Sequence, residues 1–154
     1  MKEDSNTGTA KPRVFFALAV VLFPILTATS ASCSRNKKVG LDELRSRIRS
    51  ANSFVAESEL FIDYIRQGHA PHHYIEAHAA YLEDAVKQFE KELEQGNPEL
   101  GTGTAIHECI TDMDLLRREL SSIAALSANN HGLAAAKTRM ETIRKSLQKA
   151  YSSI

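Results

Sequence analysis

Apolar residues recur along most of the chain in alternating steps of three and four. Four segments follow this rule: 41–65, 75–93, 106–123 and 133–154. Because about 3.6 residues make one helical turn, this spacing places the apolar side chains of each segment on one helix face, whereas a strand would need strict alternation. The pattern therefore predicts four amphipathic helices, each with one apolar stripe to bury. In the first helix the stripe consists of Leu41, Leu44, Ile48, Ala51, Val55, Ser58, Ile62 and Ile65.

Three short breaks separate these segments: "QGHAP" at 67–71, "GNPELGTGT" at 96–104 and "SANNHG" at 127–132. Helices of about 23 to 26 residues rise ~1.5 Å per residue, so all four rods are matched at ~35 to 39 Å. Short connections between matched rods favour antiparallel neighbours. We therefore predict an all-α fold, an antiparallel up-down-up-down four-helix bundle.

The breaks also carry signals for helix ends. Gly68 and Gly96 are typical of helices that end in a left-handed residue, and Pro71 is typical of a first helical position. Thr104 is a suitable cap for the third helix, because its hydroxyl can accept a hydrogen bond from a free backbone N–H. Gly68 and Gly96 therefore predict the ends of the first and second helices, and Pro71 and Thr104 predict the starts of the second and third.

Charged residues at the helix ends agree with an antiparallel arrangement of helices one and two. A run of arginines opens the first helix, and a run of glutamates closes the second, so antiparallel packing would bring opposite charges together. Exposed pairs contribute only about 0 to 1 kcal/mol each, so they would select the register more than they stabilise it. The residues are Arg45, Arg47, Arg49, Glu90, Glu92 and Glu94.

The most hydrophobic run of the chain lies near its beginning. Residues 14–26 ("VFFALAVVLFPIL") carry no charge, follow a polar segment with Lys2, Lys11 and Arg13, and precede the small residues "TATSAS". This order is the layout of a secretory signal. A membrane span needs about 20 apolar residues, so a retained anchor is the second interpretation.

Ser30, Ala31, Ser32 and Cys33 follow this run, and together they resemble the cleavage box of bacterial lipoproteins. The resemblance implies that a peptidase cuts before Cys33 and that this cysteine then carries lipid. The box usually has leucine or another aliphatic residue where this chain has Ser30. The alternative is that an ordinary signal peptidase cuts after a small residue and leaves Cys33 as a plain thiol. We predict a signal at 1–32, a basic linker at 33–40 and the bundle at 41–154.

The residues after Cys33 bear on the compartment. Ser34 stands where an aspartate would, in some bacteria, oppose sorting to the outer membrane, and Arg35, Lys37 and Lys38 follow it. Cations beside a lipid anchor can add about 1 kcal/mol each near an anionic surface. We therefore expect an exported protein on the periplasmic face of a bacterial membrane, with the outer membrane favoured.

Composition adds two limits. The chain has 154 residues, room for one domain, and its 19 basic residues balance 19 acidic ones. No overall positive field attracts nucleic acid, so we do not expect a nucleic-acid partner.

Histidines collect at the distal end, which we define as the end of the bundle formed by breaks 67–71 and 127–132. Imidazole is a common ligand of zinc, copper and nickel, so a metal-binding or metal-sensing site is the alternative functional prediction. The other interpretation is that these are exposed loop histidines with no joint task. They are His69, His72, His73 and His131.

Aromatic residues widen the stripes of helices one and two. Tyrosine can bury its ring while its hydroxyl stays in water, so such residues suit a docking face for another protein. The same rings could instead seal the groove between the two helices. The candidates for partner binding are Phe61, Tyr64, Tyr74 and Tyr81.

No arrangement typical of an enzyme or of a cofactor site is found. The Glu-x-x-His pairs of di-iron bundles and the Cys-x-x-Cys-His of attached haem do not occur. Cys109 occupies a stripe position, where a thiol usually acts as a small hydrophobe. We therefore expect no catalytic residue and no cofactor, and predict an exported, lipid-anchored helical bundle that serves as a binding or structural module of the cell envelope.

Overall fold

Four long helices make up most of the computed structural model, which describes residues 38–68 and 70–154. Helix α1 spans Leu41–Arg66, α2 spans His72–Glu94, α3 spans Gly103–Leu126 and α4 spans Asn130–Ser153. Two short strands, β1 at Lys38–Val39 and β2 at Asn97–Pro98, complete the described elements. The predicted all-α four-helix bundle is confirmed.

The predicted apolar stripes form one core that runs the length of the bundle. Leu41 is an exception, because it is the first residue of α1 and is half exposed. Burial of these stripes is the main favourable contribution to folding. The largest fully buried side chains are Leu44, Ile48, Ile62, Leu82, Leu93, Met113, Leu116, Leu120, Ile123, Leu133, Met140 and Leu147.

Helices α1 and α4 pack closely with opposite directions. At the start of α1, Arg45 Nη2 donates to the main-chain oxygen of Ile154 at 2.8 Å. At the other end, Arg66 Nε donates to Asn130 Oδ1 at 2.7 Å. The end that holds Arg45 and Ile154 is called the base below.

Helices α1 and α2 also run in opposite directions, but their backbones approach closely at few points, whereas α2 packs closely on α3. Aromatic rings fill the wider interface. The rings of Phe54 and Phe89 meet with centroids 5.6 Å apart toward the base, and those of Tyr64 and Tyr74 with centroids 5.9 Å apart toward the distal end. The up-down-up-down order of the whole chain stays a prediction.

The two strands join the start of the described chain to the loop between α2 and α3. They are parallel, with Lys38 opposite Asn97 and Val39 opposite Pro98. Val39 is buried, and its carbonyl accepts hydrogen bonds from the main-chain N–H of Glu99 and the hydroxyl of Thr102, both at 3.3 Å. The last residues of the predicted linker are therefore part of the packed fold.

Two glycines that were expected to end helices behave differently. Gly68 follows α1 with φ of +76°, as predicted, and its N–H donates to the carbonyl of Ile65. The prediction for Gly96 is wrong, because its backbone is not left-handed. Gly96 is needed for close approach instead: a Cβ there would lie 2.6 Å from Val39 Cγ2.

The starts of α2 and α3 differ from the predicted starts by one or two residues. Helix α3 begins at Gly103, so Thr104 lies inside the helix and the prediction that it caps α3 is wrong. The preceding residue, Thr102, directs its hydroxyl to the carbonyls of Val39 and Glu99 rather than to the helix. Pro71 immediately precedes α2 instead of occupying its first position.

The prediction that arginines of α1 pair with glutamates of α2 is wrong for Arg47 and Glu90, which have other partners. Arg47 pairs with Glu43 of its own helix at 3.0 Å, and Glu90 of α2 pairs with Arg117 of α3 at 3.3 Å. The physical reason is distance, because α2 lies closely against α3 and more loosely against α1. Arg45 donates a hydrogen bond to the main-chain oxygen of Ile154, so it connects α1 to the end of α4.

Candidate functional site

Four aromatic rings and one imidazole form a continuous cluster between α1 and α2, which we call the aromatic face: Phe61, Tyr64, Tyr74, His78 and Tyr81. The His78 ring is its centre, stacked with Tyr74 at 5.4 Å between centroids and with Tyr81 at 5.8 Å. Phe61 meets the same imidazole edge to face at 4.6 Å. Residues 74, 78 and 81 are spaced by four and three, so they lie on one side of α2.

The aromatic face has a buried side and an open side. Phe61 is only 4% exposed, so it supports the other rings instead of offering surface to a partner. Tyr64, Tyr74 and Tyr81 are 41%, 40% and 62% exposed. Leu60, four residues before Tyr64 and 69% exposed, extends the apolar area along α1. The cluster thus both fills the α1–α2 interface and leaves three tyrosines accessible.

The rings also hold one another in place. Tyr74 contacts Phe61 and Tyr64 edge to face, with centroids 6.2 Å and 5.9 Å apart. Such pairs contribute about 0.5 to 1.5 kcal/mol beyond the area they bury. A tyrosine fixed by its neighbours loses little freedom on binding, so this surface is suited to carry binding energy.

Carboxylates, but no lysine or arginine, lie along the chain around this surface. Residues 50–65 and 67–86 contain neither basic type. Glu57 Oε1 lies 3.8 Å from His78 Nε2, and Asp84 follows Tyr81 by three residues, on an adjacent part of the α2 surface. The surroundings of the aromatic face are therefore acidic when its histidine is neutral.

The histidines of the predicted metal site are not gathered within the described part of the chain. His72, His73 and His131 are exposed, and His72 Nδ1 lies 3.5 Å from Glu76 Oε2. Across residues 38–68 and 70–154, no group of three or more His, Cys, Asp or Glu is placed to hold a metal ion. His69 lies outside the described residues, and the metal site stays a prediction that metal analysis of the untagged full chain would test.

Of the two cysteines, Cys33 lies outside the described residues, and Cys109 is fully buried in the core. Burial raises the pKa of the Cys109 thiol to about 12, with a smaller upward contribution from Asp112. The thiol is therefore protonated at neutral pH, whereas a nucleophile or a metal ligand must be a thiolate. Cys109 is a packing residue.

Among the described residues, the sequence patterns missed three buried polar side chains, Glu59, Thr102 and Asp112, and Asp112 lies beside the core thiol. Asp112 is 7% exposed, one turn after Cys109, and its Oδ2 has no hydrogen-bond partner. Burial raises the pKa of this carboxyl, although a hydrogen bond with the Ser146 side chain of α4 opposes the shift. The only sequence signal was its position next to the stripe residue Met113, which a surface aspartate can equally occupy.

The fold places this chain among four-helix bundles, with an aromatic surface between its first two helices. Comparison with protein-family models, curated proteins and solved structures gives no significant match. No helix within the described part of the chain has the length and apolar character that a membrane crossing requires.

Proposed function

We propose that this protein is an exported, lipid-anchored helical bundle that binds another protein of the bacterial cell envelope through its aromatic face. The observation that carries the proposal is the set of three accessible tyrosines held by buried Phe61 and half-buried His78. The signal-like order of residues 14–33 supports export and lipid attachment at Cys33.

The short tether supports a division of the bundle into a membrane end and a binding end. Only residues 34–37 separate Cys33 from Lys38, and an extended chain spans roughly 3.5 Å per residue. A lipid on Cys33 would keep Lys38, at the base, near the membrane. Tyr64 and Tyr74 belong to the distal half, so this part of the aromatic face would remain open to a partner.

The chemistry of the face favours a basic partner. Tyrosine rings attract lysine and arginine through their π faces, and nearby carboxylates add charge complementarity. Glu57 lies beside His78 and Asp84 lies one turn after Tyr81, and no lysine or arginine within the two segments opposes such a partner. We propose that the bound segment carries arginine or lysine beside apolar side chains.

Positional crosslinking tests the surface. A photo-crosslinking phenylalanine analogue placed at residue 81 of the full chain is expected to give one dominant adduct in intact cells. The same analogue at residue 115 is the control, because Leu115 is 44% exposed on α3 and lies outside the aromatic face. Adding Tyr74→Ser to the residue-81 variant should reduce the adduct at least about tenfold, as loss of an interface anchor does.

Equal adducts at residues 81 and 115, or an adduct that Tyr74→Ser leaves unchanged, would contradict the surface. The anchor has a separate test in the intact mass of the chain extracted from its native membrane. We expect a chain that starts at Cys33 and carries acyl groups, and a chain with Met1 intact would overturn this part of the proposal.

A further inference from the structure

A second surface lies where α1 packs against α4 near the base. Here the two helices frame an open groove of about 490 Å³. Its lining is polar and aromatic and offers guanidinium, amide and hydroxyl donors. The lining residues are Arg49, Asn52, Gln148, Tyr151 and Ser152.

Positive charge is concentrated beside this groove. Helix α4 has five basic residues and one acidic residue, whereas α2 has two basic and six acidic residues. Three basic residues of α4 form ion pairs. Lys145 and Lys149 of α4, and Arg49 of α1, form no ion pair with any described residue. The pairs are Lys137 with Asp63, Arg139 with Glu119, and Arg144 with Glu59.

The unpaired cations lie close to the groove. Lys145 precedes Gln148 by three residues and Lys149 follows it directly, so Lys145 shares a side of α4 with the lining. Arg49 belongs to the lining itself. The groove therefore offers a guanidinium and hydroxyl donors with a lysine of α4 beside it, and these are groups that proteins use to hold phosphate oxygens.

We infer that this groove binds the phosphate of anionic phospholipid headgroups, so that the α1–α4 side of the base faces the membrane. The choice of a phospholipid as the source of phosphate rests on the proposed lipid anchor, which brings the base to a bilayer. Tyr151, at the edge of the groove, is a residue type that favours the headgroup region.

The rest of the bundle agrees with this orientation. Helix α2 packs closely on α3 and carries the acidic surplus, so an anionic membrane repels it. The aromatic face lies on the side of α1 that contacts α2, whereas the groove lies on the side that contacts α4. Both surfaces can be occupied at the same time.

Lysine footprinting of the full chain tests the inference with an internal control. The chain is mixed with phosphatidylcholine vesicles that contain or lack phosphatidylglycerol, and is acetylated for measured times before mass spectrometry. Acetylation of Lys145 and Lys149 should slow about fivefold when phosphatidylglycerol is present, the effect of one cation held at an anionic surface. Lys87 and Lys91 form a matched pair with the same spacing near the base, but on α2, and should not change.

The variant Arg49→Gln should restore most of the acetylation of Lys145, whereas Arg118→Gln, which removes an exposed cation of α3, should not. Equal slowing at Lys87, or no slowing at Lys145, would overturn the inference. Protection of Lys145 by soluble glycerophosphate without phosphatidylglycerol would assign the groove to free phosphate and overturn the lipid assignment. The readout requires neither acylation of Cys33 nor a protein partner, so it can fail independently of the proposed function.

Discussion

At the scale of single residues, the buried carboxyl of Asp112 makes stability depend on pH. Burial raises its pKa in the folded chain, so the folded state holds the proton more tightly than the unfolded state. Stability contributed by the protonated form is present below the unfolded value, about 4, and is lost as pH rises through the folded pKa. Glu90 behaves in the same direction, because its burial outweighs the opposing effect of Arg117.

We expect Asp112→Asn to stabilise the fold at neutral pH by on the order of 1 kcal/mol, because it removes a buried charge with an unpaired oxygen. The gain should disappear in acid, where Asp112 is itself neutral. Urea unfolding followed by circular dichroism across this pH range measures the difference. Asp84→Asn, which neutralises an exposed carboxylate of α2, should stay within about 0.5 kcal/mol at every pH, and a similar gain there would argue against the explanation.

At the scale of elements, the four helices could be predicted because each presents a long stripe with helical spacing. The strand pair could not, since Val39 is a single apolar residue after a basic segment and two-residue strands show no alternation. The aromatic candidates were predictable as a set, but their exposure was not. Whether Phe61 or Tyr64 turns inward depends on the distance between α1 and α2, and the role of His78 as the central ring depends on both helices.

The contact between the strand pair and the end of α2 predicts the cost of a single methyl group. Gly96→Ala should lower the free energy of unfolding by about 1 to 3 kcal/mol, the usual cost of overpacking, because the new Cβ meets Val39. Gly103→Ala is the matched control, since nothing lies within 4 Å of its Cβ position, and it should be neutral or stabilising by up to about 1 kcal/mol. Urea unfolding of both variants provides the comparison, and equal stabilities would refute the close contact.

At the scale of the whole molecule, one core joins all four helices from base to distal end. Damage at the middle of the core should therefore weaken every part of the described fold together, which is the behaviour of a two-state domain. The surface is less uniform, with a basic α4 and an acidic α2. The formal net charge of zero does not reveal that the positive and negative charges lie on different helices.

Neighbouring leucines of α3 test the cooperativity of the core. Leu116→Ala should cost about 2 to 5 kcal/mol, because Leu116 is fully buried, and Leu115→Ala should cost less than about 1 kcal/mol, because Leu115 is 44% exposed. For Leu116→Ala, circular dichroism, which reports all helices, and tyrosine absorbance, which reports mainly the aromatic face, should give the same unfolding midpoint. Separate midpoints would show that the core is divided.

The strand pair at the base has a mechanical consequence. A force that pulls on the chain ahead of Lys38 reaches Val39 before it reaches the first turn of α1. Val39 is buried, and its carbonyl accepts two hydrogen bonds from the α2–α3 connection, so these contacts oppose the force. Such a force would therefore act on the α2–α3 connection, through these hydrogen bonds, before it acts on the helical hydrogen bonds of α1.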